Sequence, residues 1–477
     1  MKRHIPVQIE WHPDPAQAVP VYRQILEWMY GKMESGEWPA GTRLPSQREM
    51  ARHFQVNRST LNQALKPLLE AGVLQGRGSQ GTVIASTAWS LRLPVQPDWN
   101  RYKRGIIYMK LLEHAVIAGM PVRNRILRSA TWEALADAKG YMSEKQYRIY
   151  DQLAKNEVGL ICTGYARVDG EDRPNAGMMG IYDDAFIPQY QELTRRVHAY
   201  GAKIMMQIAY GGTKTTFERE GRTIFSPSAV PERKTGTVGV AMSPADIQHL
   251  IGEYAQAAKR VRDSGFDAVE IHGGHSYLLN QFLSPYYNRR CDAYGGSPAN
   301  RYRIVGDIIA AIRQAAGPHF PIWIKITCSD FFEGGLTFED SLDICRRLQQ
   351  SGIDAIEVSG NIHGKAQQEI GLEWDGHVIR DGGYFLDYAK DIADAVRVPV
   401  YVTGGFKDPR QMETALKTSK LAGIGLSRPL LSEPGLVRRW NQGDLRPARC
   451  VHCSKCRTPE GNYCTVFAAI DAKKGAK

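Results

Sequence analysis

Two histidines and a tyrosine crowd one short stretch, Glu270-Ile271-His272-Gly273-Gly274-His275-Ser276-Tyr277, at the end of a β-rich apolar run. Two imidazoles three positions apart beyond a buried strand can converge on one ligand oxygen and stabilise charge developing there. The phenol of Tyr277, ordinarily with a pKa of about 10, adds a proton donor beside them. Paired histidines also serve metals, but no third ligand stands at a characteristic spacing. A second constellation is Cys450-x2-Cys453-x2-Cys456-x7-Cys464. Its four thiols suffice for tetrahedral Zn2+ or a 4Fe-4S cluster, with metal-free thiols as the remaining use. Cys162, Cys291, Cys328 and Cys345 are scattered singly. Without an export signal, that distribution favours a metal or thiol site over a disulfide framework. The third constellation is a pair of glycine-bearing segments, Thr403-Gly404-Gly405 and Gly425-Leu426-Ser427-Arg428, where bare amides and an arginine can meet a phosphate.

These residues need a scaffold that brings strand ends together. From about residue 109, β-rich segments alternate with amphipathic helical ones: 125–127, 158–163, 203–208, 268–272, 322–327, 355–358, 399–402 and 423–426. Helical stretches such as 247–264, 303–315, 337–351 and 409–418 lie between them. Eight strands in βα alternation predict a (β/α)8 TIM barrel, with its active site at the carboxyl ends of the strands. An open doubly wound sheet competes, but no strand runs into a Rossmann glycine fingerprint.

The first 86 residues read differently. Ile25, Met29 and Met33 form one stripe of a helix over 21–33, and Ser46 can cap a short helix to Phe54. Gln55-Val56-Asn57 is a turn, and 58–70 is a second helix, with Leu61, Leu65 and Leu68 facing inward. This is a helix-turn-helix whose second helix would lead with Arg58, Ser59, Thr60 and Asn62 into a major groove. Val73-Leu74, a glycine-rich turn and Thr82-Val83-Ile84 form a hairpin wing, whose Arg77 would lie along a phosphate backbone or in a minor groove. The formal charge is +11, and residues 1–110 carry 15 Lys and Arg against 8 Asp and Glu, an excess of 7. That asymmetry suits a polyanion or a generic basic surface, and the connecting segment's Arg101, Lys103 and Arg104 supply part of it, so it is the helix-turn-helix that names double-stranded DNA as partner.

The segment 44–84, from Leu44-Pro45-Ser46 through Arg48, Val56-Asn57-Arg58 and Gly81-Thr82, resembles the GntR family of bacterial transcription regulators. The resemblance implies DNA contacts by Arg48, Arg58, Thr60 and the wing glycine Gly81. Asn57 stands where a serine is common. Residues 270–303, with 124–133, 205–212 and 426–434, resemble the Old Yellow Enzyme family of FMN oxidoreductases. This implies FMN as cofactor and NADH or NADPH as reductant. Ser129, Ala130 and Thr131 would adjoin the flavin, Gln207 and Lys325 its pyrimidine side, and Gly404, Gly405, Ser427 and Arg428 its phosphate. His272 and His275 would hold the carbonyl oxygen of an α,β-unsaturated ligand, and Tyr277 would protonate it. Lys325 replaces a common arginine, Tyr210 and Thr213 replace histidine and arginine, and Ser276 replaces glycine.

The expected organisation is a winged-helix head at 1–86, a linker at 87–108, a barrel at 109–445 and a cysteine-rich tail at 446–477. A chain with one recognition helix reads a pseudo-palindrome as a homodimer or higher homo-oligomer. No apolar run reaches the ~20 residues of a membrane helix, so the cytoplasm is the default location. Three functional readings stand: an ene-reductase-like enzyme coupled to a DNA-binding regulator, a ligand- or redox-sensing regulator whose flavin barrel turns over little, or an enzyme whose head is an oligomerisation device.

Overall fold

The computed structural model describes residues 7, 9–16, 21–35, 37–70, 73–76, 82–85, 109–215, 217–360, 383–453 and 455–468. The chain divides into two compact units, Met1–Ile107 and Tyr108–Lys477. The expected linker, 87–108, lies outside the described residues.

In the first unit, helix Val21–Glu34 buries the stripe of Ile25, Met29 and Met33. Helix Arg58–Glu70 buries Leu61, Leu65 and Leu68 in the same core, which Trp38, Leu44, Met50 and Phe54 complete. Between them, Gln47–His53 starts where Ser46 Oγ accepts from Glu49 N and the Glu49 carboxylate accepts from Ser46 N, a capping box. Gln55, at φ 54°, turns the chain in the left-handed region. Leu74–Gly76 pairs antiparallel with Thr82–Ile84 as the base of the expected wing. Trp11, ahead of the helices, stacks on Trp28 with ring centroids 5.4 Å apart, an addition that no periodicity announced.

In the second unit eight parallel strands close on themselves: Ile126–Arg128, Leu160–Cys162, Lys203–Ala209, Ala268–Gly273, Ile322–Thr327, Ala355–Ser359, Val400–Thr403 and Gly423–Leu426. The eighth pairs with the first, Ile424 beside Ile126, so the sheet has no free edge there. The helices expected from 247 and 303 begin earlier, at Pro244 and Pro298. In each case a serine, Ser243 or Ser297, accepts from a first-turn amide, and proline occupies the first helical position. A hairpin, Ala115–Ile117 with Met120–Val122, packs on Leu127, Leu160, Ala268 and Trp323 near the strand beginnings. This closes the amino end of the barrel and leaves the carboxyl end for chemistry. Among the described residues no helix is long and apolar enough to cross a membrane.

Candidate functional site

Strand register assembles the site. His272 stands beside Lys325, and Lys325 beside Glu357, on three adjacent strands, while Glu270 pairs with Gln207 on the other flank. Successive residues of a strand alternate sides, so Glu270 and His272 share the barrel's inner face. A cavity of about 310 Å³ opens above them, lined by Ala130, Trp132, Tyr165, Asn175, Gln207, His272, His275, Tyr277 and Lys325 among others. The ring centroids of His272 and His275 are 5.1 Å apart, and those of His272 and Tyr277 are 4.8 Å apart. The three groups singled out by spacing therefore converge.

Each is held in a form that suits it. Burial, and then the nearby Lys325 ammonium, lowers the His272 pKa to about 3, so at neutral pH this imidazole is uncharged and donates or accepts one hydrogen bond at each nitrogen. Its Nδ1 is buried and has no hydrogen-bond partner among the described residues, which is costly unless a ligand supplies one. The Nε2 of His275 lies 2.9 Å from Ser359 Oγ. Burial raises the Tyr277 phenol, keeping it protonated, and Asn175 Nδ2 donates to its oxygen at 3.0 Å. The connecting turn is strained: His275 and Ser276 have φ of 60° and 61°, where glycine is favoured. That explains the usefulness of a glycine at position 276. Here the serine is held by Ser276 N donating to Asn280 Oδ1 at 2.7 Å and Gln281 Nε2 donating to the Ser276 carbonyl at 2.6 Å.

Beneath the cavity lies a charged layer in which Lys325 and Ser129, both expected beside the flavin, meet Glu357, which motif reading missed. Lys325 Nζ is 3.1 Å from Glu357 Oε1 and donates to Ser129 Oγ at 2.7 Å, while Ser129 donates to Glu357 at 2.6 Å. Thr403 also donates to Glu357. Burial and the neighbouring Glu357 push Glu270 up, so it is the protonated member of the pair. Burial pushes Glu357 up as well, but the Lys325 ammonium and the hydrogen bonds from Glu270, Ser129 and Thr403 together outweigh it and hold this carboxyl ionised. Gly425 has its own reason in this layer: a Cβ there would sit 1.7 Å from the Thr403 hydroxyl.

A second cavity, about 200 Å³, is lined by His275, Thr403, Gly404, Gly405, Gly425, Ser427, Arg428 and His452 among others. Gly404 and Gly405 have φ of 135° and 80°. No carboxylate is among the described lining residues, and Arg428 brings a permanent positive charge. The two cavities share His275, one offering an anion-compatible glycine edge and the other an apolar-to-polar wall with an orphaned imidazole nitrogen. This donor set fits a phosphate-bearing flavin. Ser129 and Thr131 line neither cavity: Ser129 is committed to the Lys325 and Glu357 layer, and the Thr131 hydroxyl lies 2.7 Å from Ser427 Oγ. Tyr210 and Thr213 are buried outside both linings, and Lys214 reaches the first cavity instead. Lys234, Thr235 and Arg457 also line it, and no motif pointed to them.

Cys450, Cys453, Cys456 and Cys464 are free, ranging from buried Cys450 to exposed Cys453. Among the described residues no three His, Cys, Asp or Glu side chains are placed to hold a metal. Cys456 and Cys464 flank a two-stranded hairpin, Arg457–Thr458 with Gly461–Asn462, fastened to the barrel by Asn462.

On the head, Arg48, Arg58, Ser59 and Asn62 are exposed and Thr60 is partly so. Asn57 acts as a helix cap, its Oδ1 accepting from Thr60 N at 2.8 Å and from Ser59 Oγ at 2.7 Å. Arg77 and Gly81, assigned to the wing, lie outside the described residues.

Residues 111–446 match the model of the NADH:flavin oxidoreductase / NADH oxidase family, and residues 21–84 match that of bacterial regulatory proteins of the gntR family. An NADH oxidase of Thermoanaerobacter brockii is 31% identical over 350 residues, covering 73% of this chain and 53% of that protein. An NADPH dehydrogenase of Geobacillus sp. (strain WCH70) is 33% identical over 319 residues, 67% of this chain and 89% of that one. A 2-naphthoyl-CoA reductase in complex with 2-naphthoyl-CoA superposes with a TM-score of 0.66 at 23% identity, over 71% of this chain and 53% of that one. The chain thus spans about half the length of the first and third of these proteins.

Proposed function

Because this chain belongs to the NADH:flavin oxidoreductase / NADH oxidase family and carries a GntR-type domain ahead of the family's barrel, we propose that it is an FMN-dependent NAD(P)H oxidoreductase coupled to a DNA-binding regulator. The observation that carries the reading is the convergence of His272, His275 and Tyr277 on a cavity that also exposes Ala130, Gln207 and Lys325. FMN, when bound, would supply two-electron chemistry, taking a hydride equivalent from NAD(P)H and passing it to an activated alkene. Gly404, Gly405, Ser427 and Arg428 would hold its phosphate. Gln207 and Lys325 would meet its pyrimidine side, Lys325 with a charge already shared by Glu357.

His272 and His275 would orient the carbonyl oxygen of an α,β-unsaturated ligand and stabilise negative charge developing there. The neutral state of His272 makes it a hydrogen-bond donor that gains no competing proton near neutrality. Tyr277, whose oxygen already accepts from Asn175, has its own proton to give to the carbon beside the carbonyl. In the head, Arg58, Thr60 and Asn62 would enter the major groove and Arg48 would reach phosphate, with Arg77 and Gly81 contributing from the wing.

Alanine at both His272 and His275 should slow alkene reduction far more than reduction of the flavin by NAD(P)H, as read by rapid mixing of each half-reaction. Equal impairment of both halves would refute the assigned roles.

A further inference from the structure

The first cavity contains an imbalance of charge. Lys214, Lys234, Lys325 and Arg457 line it, and no Asp or Glu is among its described lining residues. Two of these cations are neutralised from outside the lining: Lys214 by Glu232 at 2.8 Å and Lys325 by Glu357 at 3.1 Å. Arg457 is placed otherwise. It comes from the tail hairpin, directly opposite Asn462 in the antiparallel register. Asn462 is buried and pinned, its backbone N donating to the Glu133 carbonyl at 2.8 Å and its Nδ2 donating to the Trp132 carbonyl at 2.7 Å. The turn is fitted as closely, since a Cβ at Gly461 would meet the Leu135 side chain at 2.4 Å. The Arg457 guanidinium lies 5.6 Å from the centroid of the Trp132 ring, on the wall of the same cavity. Among the described residues no carboxylate engages it. The hairpin therefore delivers a cation to a fixed point on the wall of the cavity that the two histidines also line, and the cavity's electrostatics favour anionic occupants over neutral and cationic ones.

We propose that the barrel's ligand is an anionic activated alkene, carrying a carboxylate or phosphate that Arg457 recognises while His272 and His275 hold the carbonyl. The proposal rests on the barrel's assigned role as the holder of an activated alkene, and it gives the cysteine-flanked hairpin the task of selecting the ligand. Arg457 is a specificity-determining residue here. An arginine presents a planar fork that matches a carboxylate or a phosphate by two parallel hydrogen bonds.

The test uses the full chain loaded with FMN and three probes. These are an acyclic enone with a carboxylate two methylenes beyond the alkene, its methyl ester, and the same enone ending in a phosphate monoester. Dissociation constants are read from the change in flavin absorbance. A charge-assisted contact of ordinary strength predicts that the unmodified protein binds the carboxylate roughly 10 to 100-fold more tightly than the ester. In Arg457→Ala the acid-to-ester ratio should fall towards one, Arg457→Lys should keep part of it, and Arg457→Glu should invert it, at unchanged FMN content. Whichever of carboxylate and phosphate gains more from Arg457 identifies the source of the anion. Equal affinity for acid and ester in the unmodified protein overturns the proposal and leaves the reductase reading standing. A ratio that survives Arg457→Ala overturns the role of Arg457. Failure of all three probes to bind an FMN-loaded barrel overturns the proposal together with the reading on which it rests.

Discussion

Burial decides what the side chains proposed to act in catalysis are able to do. With its pKa lowered to about 3 against an ordinary 6.5, His272 binds a proton more readily in the unfolded chain than in the native one. Its contribution to stability is therefore complete above about pH 6.5 and is lost progressively as the pH falls towards 3. Its imidazole resonances should not move between about pH 5 and 8, the range where an ordinary histidine titrates. A midpoint inside that range, by NMR of the full chain, would show that the ring is not desolvated. Tyr277→Phe keeps the ring and removes the proton, so alkene reduction should slow by about 10² to 10⁴-fold while flavin reduction persists. Lys325 and Glu357 illustrate the opposite use of burial. Glu357→Gln leaves the Lys325 ammonium without its ionised partner, and a loss of about 3–5 kcal/mol in denaturant unfolding of the barrel is expected. A loss under about 1 kcal/mol would mean that water or a shifted carboxyl replaces the pair.

Among the elements, the last barrel strand and the second helix of the head show how little sequence is needed where geometry is tight. Gly425 faces the Thr403 hydroxyl so closely that Gly425→Ala must displace Thr403 and, through it, Glu357. Overpacking of this kind costs about 1–3 kcal/mol, and FMN retention should fall along with the midpoint of thermal unfolding. A normal midpoint with normal flavin content would show that the strand yields. In the head, Ser46→Ala removes the acceptor for Glu49 N and half of a capping box. About 1 kcal/mol of head stability should go with it, visible as a shift in the helical signal of the isolated transition. The tail hairpin is the third such element, since its register turns Arg457 towards the cavity and Asn462 into the barrel.

For the whole molecule the functional question is coupling. A ligand in the barrel changes DNA affinity only to the extent that it binds DNA-competent and incompetent states unequally. A coupling in the ordinary range of about 1–3 kcal/mol would alter operator affinity by about 5 to 150-fold. Titration of a selected DNA site with oxidised, reduced and ligand-saturated protein at constant salt measures it, because phosphate contacts make affinity steeply salt-dependent. Identical affinities in all three states would leave an enzyme tethered to a DNA reader. Arg58→Ala should weaken DNA binding while the flavin spectrum is unchanged, since Arg58 belongs to the head unit alone.

Local sequence determined much of this. Periodicity and punctuation are properties of neighbouring residues, so the eight strands, the helix stripes of Ile25, Met29 and Met33, and the cap at Ser46 were legible before any fold was known. So was the trio of His272, His275 and Tyr277, because six residues at the end of one strand carry all three. Other features were decided by pairings across tens to hundreds of residues. Glu357 meets Lys325 and Ser129 only because parallel strands fall into one register around a closed barrel. The four cysteines offered thiols for a metal by spacing, whereas what the tail brings to the cavity walls, His452 and Arg457, was set by the fold, Arg457 by where Asn462 meets the Trp132 and Glu133 carbonyls. A motif records which groups are adjacent along the chain, whereas the charge of a cavity is the sum over walls drawn from every part of it.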